Sequence, residues 1–72
     1  MRKWLIDRRH FLGMTQQNVA IALGVSQQYY NLFERGKREK KMKIDTAFKL
    51  SDILKIPIEE IIKEERGWED KW

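Results

Sequence analysis

The 72-residue sequence lacks cysteine and contains a single proline, Pro57, and a single histidine, His10. Without cysteine the chain can form neither a disulfide framework nor a thiolate metal site, and such a composition suits a reducing cytosol. No apolar run approaches the ~20 residues that a transmembrane helix needs, and the N-terminus lacks the pattern of a signal peptide. We therefore expect a cytoplasmic protein without a membrane-spanning segment.

Groups that perform catalysis are also scarce. His10 has only Asp7 as an acidic neighbour at helical spacing. A metal site needs three or four ligands, and a hydrolytic site needs a base beside a nucleophile. Membrane-surface binding would need basic residues along one face of a long amphipathic helix, which the chain does not have. The sequence predicts a protein that is not an enzyme and holds no metal or cofactor.

The net charge of +4 is unevenly distributed along the chain. Residues 1–43 include ten basic and three acidic residues, for +7, whereas residues 44–72 include five basic and eight acidic residues, for −3. A domain with one basic and one acidic end orients itself on a polyanion with the acidic end turned away. Short charge runs also occur on ordinary solvated surfaces, so charge alone leaves both interpretations open.

Helical spacing of apolar residues dominates the sequence, and no β-strand alternation of useful length is present. Glycine accepts the left-handed backbone at a helix end, so it marks where helical patterns stop. The four glycines placed in this way are Gly13, Gly24, Gly36 and Gly67. The pattern predicts an all-α chain of five helices, at residues 3–12, 16–23, 27–35 and 44–54 and from Pro57 onward.

One apolar face on each helix predicts a common core, and Thr15 and Ser26 are placed to cap the second and third helices. The residues expected to point inward are Val19, Ala20, Leu23, Tyr30, Phe33, Ala47, Leu50, Ser51, Leu54, Ile58, Ile61 and Ile62.

The second and third helices are separated only by Gly24, Val25 and Ser26. A connection this short forces a steep crossing, and the small side chain of Ala20 lets the two backbones approach, as in a helix-turn-helix. The outer face of the third helix is then left in solvent. It includes Gln27, Gln28, Tyr29, Asn31, Leu32 and Arg35, most of which can hydrogen-bond to or stack on bases.

The sequence from about residue 4 to residue 62 resembles the Xre/Cro-like helix-turn-helix family, which includes the phage repressors. The resemblance rests on five fragments in register. They are Met14-Thr15-Gln16-Gln17, Val19-Ala20, Leu23-Gly24-Val25-Ser26, Glu34-Arg35-Gly36-Lys37-Arg38 and the helix pair at residues 50–62. The resemblance implies a five-helix bundle of the lambda-repressor type.

The resemblance implies roles for the outer face of the third helix. Gln16 matches a residue that touches a DNA phosphate and braces the recognition helix, while Gln27 and Gln28 match positions that contact base edges in the major groove. A glutamine amide pairs with adenine N6 and N7, worth ~1–3 kcal/mol of discrimination. Tyr29 and Leu32 match further groove-facing positions, Leu32 as an apolar contact to a thymine methyl. Ordinary exposure or partial packing is the alternative for both.

The segment at residues 37–43 has five basic residues and Glu39, so its charge of +4 equals that of the whole chain. In the family the corresponding loop follows the phosphate backbone, although a plain solvated loop is the alternative. The phosphate-contacting residues expected beside Gln16 are Asn31, Arg35, Lys37, Arg38, Lys40, Lys41 and Lys43. Arg9 and Glu34 match a structural ion pair between the first helix and the end of the third.

The sequence departs from the family pattern at three places. Arg8 replaces a small apolar residue, so either its methylene stem covers the core or the first helix is displaced. The loop before the fourth helix is longer and lacks a Pro-Ser start, which leaves the beginning of that helix open. Lys55 replaces a glycine, and a positive φ at lysine costs on the order of 1 kcal/mol.

These observations predict a DNA-binding domain at residues 1–65 and a charged tail at residues 66–72. The predicted function is a transcriptional regulator of the repressor type, nucleoid-associated through double-stranded DNA. It would bind as a homodimer to a palindrome with half-sites about 34 Å apart. The alternative is an antitoxin, or a subunit of a regulatory complex that holds a protein partner through its C-terminal half.

Aromatic residues outside the predicted core raise a further question. Trp4 and Phe11 share one stripe of the first helix, and Trp68 and Trp72 lie in the tail. Left exposed, such rings would form an apolar patch. Either the tail folds back over the first helix or the rings join Phe48 and Ile53 in a dimer interface. A frayed tail is the remaining alternative.

Overall fold

The computed structural model describes residues 1–69, and in that part of the chain it consists of five α-helices without a β-strand. The helices are α1 (Lys3–Phe11), α2 (Gln16–Leu23), α3 (Gln27–Glu34), α4 (Ile44–Leu54) and α5 (Ile58–Glu69). The predicted all-α fold is confirmed, with α2 and α4 at the predicted bounds and α1 and α3 one residue shorter.

Local side-chain chemistry fixes the ends of the two central helices. The Thr15 side chain accepts from the backbone N–H of Asn18 and the Asn18 side chain accepts from that of Thr15, which is a capping box at the start of α2. Gly24 ends α2 with φ 82°, and Ser26 caps α3 by accepting from the N–H of Tyr29. The turn between α2 and α3 is therefore short and fixed at both ends.

The core lies where α2 packs against α3 and α4, with α1 on α3 and α5 on α4. Ala20 is 1% exposed, so the small residue stands where the helices approach. Burying apolar area of this kind contributes about 25 cal/mol per Å². The buried hydrophobic residues are Leu5, Val19, Ala20, Leu23, Tyr30, Phe33, Ala47, Leu50, Leu54 and Ile61. The inward orientation predicted for Ile62 is wrong, since this residue is 41% exposed.

The last helix is longer than predicted. We expected Gly67 to end it, but α5 continues through Gly67 to Glu69. Glycine inside an exposed helical turn costs only about 1 kcal/mol, and α5 is held two residues earlier by the buried Glu65. The helix thus crosses the predicted boundary between residues 65 and 66. The side chain of Trp68 and all of Trp72 lie outside the described residues.

None of the five helices is both long and apolar enough to cross a membrane, over the part of the chain that the structure describes. Residues 1–69 likewise contain no group of three histidine or acidic side chains arranged to hold a metal ion.

Candidate nucleic-acid interface

Helix α3 presents one face to the core and the other to solvent. Tyr30 and Phe33 are fully buried and hold the inner face, and their ring centroids are 6.2 Å apart. Gln27 and Gln28, in the first turn, are exposed on the outside. The first turn of α3 is therefore exposed to solvent, while the opposite face of the helix packs rigidly against the core.

An open hollow lies between the start of α2 and the outer face of α3. Four of the residues that line it carry side-chain amides, and the fifth is apolar: Gln16, Gln27, Gln28, Asn31 and Leu32. Tyr29, the remaining residue predicted to contact a base, does not line this hollow. The structure thus brings together three of the four predicted base-reading residues with Gln16 and Asn31, which were predicted on phosphates.

A chain of hydrogen bonds runs from the interior to this hollow. Arg9 pairs with Glu34, with 2.7 Å between Arg9 Nε and Glu34 Oε2. Gln16 donates from Nε2 to Glu34 Oε1 at 2.9 Å and accepts at Oε1 from Asn31 Nδ2 at 3.4 Å. The pair between α1 and the end of α3 thus holds Gln16, and Gln16 holds Asn31.

The ionised state of Glu34 determines which atoms donate and which accept along this chain of hydrogen bonds. Burial alone would raise the pKa of Glu34, but hydrogen bonds from Arg9 and Gln16 outweigh it and lower the pKa. An ionised carboxylate only accepts, so the amide nitrogen of Gln16 must face it and the amide oxygen must face Asn31. Asn31 in turn uses one Nδ2 hydrogen toward Gln16, which leaves its second Nδ2 hydrogen as a donor and its Oδ1 as an acceptor.

The basic segment, residues 37–43, follows α3 directly and is rich in exposed cationic side chains. The exposed residues are Lys37, Arg38, Lys40, Lys41 and Lys43, and Arg35 is exposed just before them. The phosphate-contacting groups predicted on this loop therefore lie on the surface beside the outer face of α3.

Glu39 organises the basic segment, and sequence reasoning counted it only as one negative charge. Its backbone is left-handed, with φ 49°. Its carboxylate accepts from the Tyr29 hydroxyl at 2.9 Å, the Lys43 N–H at 3.1 Å and the Thr46 hydroxyl at 2.9 Å. Burial would raise its pKa, but these hydrogen bonds lower it. Tyr29, which was predicted to contact a base, thus uses its hydroxyl to hydrogen-bond to this loop.

Arg2 is a second residue that sequence reasoning missed. It is fully buried, with Nε 3.1 Å from both carboxylate oxygens of Glu65. Its guanidinium stacks over the Phe33 ring, 4.2 Å from the centroid. It also donates to the backbone carbonyls of Phe33, Arg38 and Glu39. An arginine next to the N-terminus resembles an ordinary surface charge, and no local pattern signals its burial.

Comparison with known proteins gives one match. The chain matches a family model described as helix-turn-helix over residues 12–61, which is more than half of its length. No curated protein and no solved structure matched the chain. The matched residues include all of α2, α3, α4 and the basic segment, whereas Arg2 and Glu65 lie outside them.

Proposed function

The chain belongs to the Xre/Cro-like helix-turn-helix family of DNA-binding regulators, and from this premise we propose that it is a transcriptional repressor that reads specific double-stranded DNA sites. The supporting observation is the exposed pair Gln27 and Gln28 at the outer end of α3, whose other face is buried. A helix held in this way inserts its first turn into the major groove. The two glutamine amides then reach adenine edges.

Asn31 and Leu32 extend this reading surface. The hydrogen-bond chain leaves Asn31 with a second Nδ2 hydrogen and with its Oδ1, so its amide can donate to a phosphate oxygen and can also accept a hydrogen bond. We keep Asn31 as a phosphate contact, and its place in the hollow also lets its Oδ1 accept from a base amino group, the N6 of adenine or the N4 of cytosine. Leu32 lines the same hollow and suits a thymine methyl. The Tyr29 hydroxyl hydrogen is already donated to Glu39, so we place the ring of Tyr29 against the DNA.

The phosphate contacts fall on both sides of the recognition helix. Gln16 lies at the start of α2 and keeps a second amide hydrogen for a phosphate oxygen. The cationic contacts are Arg35, Lys37, Arg38, Lys40, Lys41 and Lys43. Each phosphate that they neutralise releases counterions, so the affinity falls steeply with salt. We place the DNA-binding domain at residues 1–65, because Glu65 is the last buried side chain of α5 in the described part of the chain.

We further propose that the repressor binds as a homodimer to a palindrome with half-sites about 34 Å apart. Among the side chains of α4 and α5 that the structure describes, three large apolar ones are exposed: Ile44 at 57%, Phe48 at 56% and Ile62 at 41%. Exposed apolar residues grouped on two neighbouring helices are typical of an association surface. A second copy of the chain covers this surface in our proposal. A monomer that copurifies with a stoichiometric second protein would instead favour the antitoxin type of function.

Selection of bound duplexes from a random library tests the function directly. We expect enrichment of one short inverted repeat, whose spacing reports the distance between the two recognition helices. Specific binding should exceed binding to unrelated duplex by about 10³-fold or more. Failure to retain any duplex at low salt would contradict the proposed function.

A further inference from the structure

The basic segment is held in place from beneath by Arg2. Three loop and helix-end carbonyls converge on its guanidinium: Phe33 O lies 2.6 Å from Nη1, Arg38 O lies 3.1 Å from Nη1, and Glu39 O accepts from Nη2. The backbone N–H of Arg2 also donates to Glu34 O at 2.7 Å. One buried side chain therefore joins the end of α3 to the beginning of the basic segment.

Glu65 completes this contact from α5. A buried guanidinium is costly unless a counter-charge and full hydrogen bonding accompany it, and Glu65, itself 8% exposed, supplies both oxygens. Glu65 Oε2 also accepts from the Trp4 indole N–H at 3.0 Å, which ties the same carboxylate to α1. Buried ion pairs of this kind fix orientation more reliably than they add net stability.

Glu39 holds the basic segment from the other side. Its side chain links α3 through Tyr29, α4 through Thr46 and the loop itself through the Lys43 N–H. A left-handed φ at a non-glycine residue is unfavourable and persists only where the surroundings impose it. A carboxylate among five basic residues also repels phosphate, so its charge opposes the binding that the segment serves.

We propose that Arg2, Glu65 and Glu39 are positioning residues that form the basic segment in its DNA-contacting shape before DNA is present. This inference rests on the proposed function, in which residues 37–43 follow the phosphate backbone. A loop that is already ordered loses less conformational freedom on binding, so more of the contact energy appears as affinity. Arg2 and Glu65 lie outside the residues matched to the family model, whereas Glu39 lies within them.

The sign of a charge deletion separates positioning from simple electrostatics. Glu39→Ala and Asp45→Ala each remove one carboxylate from the same region, but Asp45 is exposed and makes no side-chain hydrogen bond to the residues that the structure describes. We expect Asp45→Ala to bind duplex as tightly as the wild type or up to about twofold more tightly. We expect Glu39→Ala to bind roughly five- to tenfold more weakly, despite its extra net positive charge.

Two further, more conservative variants distinguish a loss of positioning from a loss of folding. Glu39→Gln keeps an acceptor of the same shape without the charge, and it should recover part of the lost affinity. Arg2→Lys keeps the charge but loses the forked donors, and it should weaken binding and lower the slope of log affinity against log salt by about one per lost phosphate contact. All affinities are measured at a temperature where circular dichroism shows each variant fully folded.

Amide hydrogen exchange of the free protein gives a readout that does not depend on DNA. The Lys43 N–H, bonded to Glu39, should be protected in the wild type and in Asp45→Ala and should exchange faster in Glu39→Ala, while α2 amides remain unchanged. A wild type that ignores duplex would contradict the proposed function. A wild type that binds duplex, with Glu39→Ala as tight as Asp45→Ala and no change in exchange, would overturn the positioning inference alone.

Discussion

Arg8 donates a 2.7 Å hydrogen bond from Nη2 to the carbonyl oxygen of Lys55, the residue that ends α4 with φ 52° and ψ 48°. Its Nε also donates to the carbonyl of Leu54 at 2.9 Å. The last carbonyls of a helix have no partner within the helix, so Arg8 satisfies two that would otherwise depend on water. Arg8 and Lys55, at which departures from the pattern are expected from the sequence, are thus in direct contact.

Arg8→Ala should lower the free energy of unfolding by about 1–2 kcal/mol, because two hydrogen bonds from a charged donor are lost. Denaturant unfolding measures the change. Lys3→Ala, which removes an exposed cation from the same helix, should change stability by less than about 0.5 kcal/mol. Equal effects of the two substitutions would show that the Arg8 contacts contribute nothing.

Lys55→Gly should raise the free energy of unfolding by up to about 1 kcal/mol, because glycine adopts the left-handed backbone without a Cβ clash. Lys49→Gly, in the exposed interior of α4, should lower it by about 1 kcal/mol. Thermal unfolding of both variants tests this opposite pair of signs. Destabilisation by both would mean that Lys55 is not strained.

Gln28→Ala should weaken binding to the selected site by a factor that corresponds to about 1–3 kcal/mol, because a base contact is lost. Binding to unrelated duplex should be unchanged, because the substitution does not alter the charge of the protein. Lys41→Ala should weaken binding to both duplexes and reduce the salt slope by about one. Fluorescence titrations at several salt concentrations separate these patterns. Gln17→Ala, exposed on α2 and outside the hollow, is the matched control. Equal loss on both duplexes for Gln28→Ala would rule out base reading.

Stability should fall at acid pH in a way that depends on Glu34. The pKa of Glu34 is lowered in the folded protein, so its contribution is fully present above the ordinary glutamate value of 4.5 and is lost as the pH falls through the lower folded value. Glu34→Gln should destabilise the protein at pH 7, and the difference from the wild type should shrink below about pH 4.5. Denaturant titrations between pH 7 and pH 3 measure this. Glu64→Gln, an exposed replacement, should show no such convergence.

Phe48→Ala should weaken self-association and shift operator binding to higher protein concentration. The substitution removes an apolar ring, about half of which is exposed, from the proposed dimer surface. Its effect on folding should be small. Sedimentation with and without operator DNA checks the mass, and Lys49→Ala, its exposed neighbour, is the control. A single mass for Phe48→Ala and wild type across the concentration range would argue against this surface.

Local spacing predicted the helices well, because an inward face such as Tyr30 and Phe33 is visible within a few residues. It could not predict the contact between Arg2 and Glu65, which are 63 residues apart and each of which resembles a surface charge. The prediction that Gly67 ends α5 was wrong for a related reason. A glycine weakens a helix only slightly, and contacts elsewhere along α5 decide where the helix ends. Of the adjacent pair Ile61 and Ile62, only Ile61 faces the core, and spacing alone did not show this.

Contacts between residues far apart in the sequence also limited the prediction of the nucleic-acid interface. The spacing of the turn and the family pattern were enough to predict the outer face of α3 and the cationic loop after it. The partners of Tyr29 and Asn31 depend on side chains from other elements, Glu39 and Gln16, so their orientation could not be read from residue type.

The amide groups around the hollow differ in how freely they can be exchanged. Asn31 inherits its orientation from an ion pair in the interior, so replacing it also disturbs the bracing of α3. Gln27 and Gln28 make no side-chain hydrogen bond to any residue that the structure describes. Evolution or redesign toward a new operator would therefore change these two glutamines first. Asn31 would be retained in the variants that result.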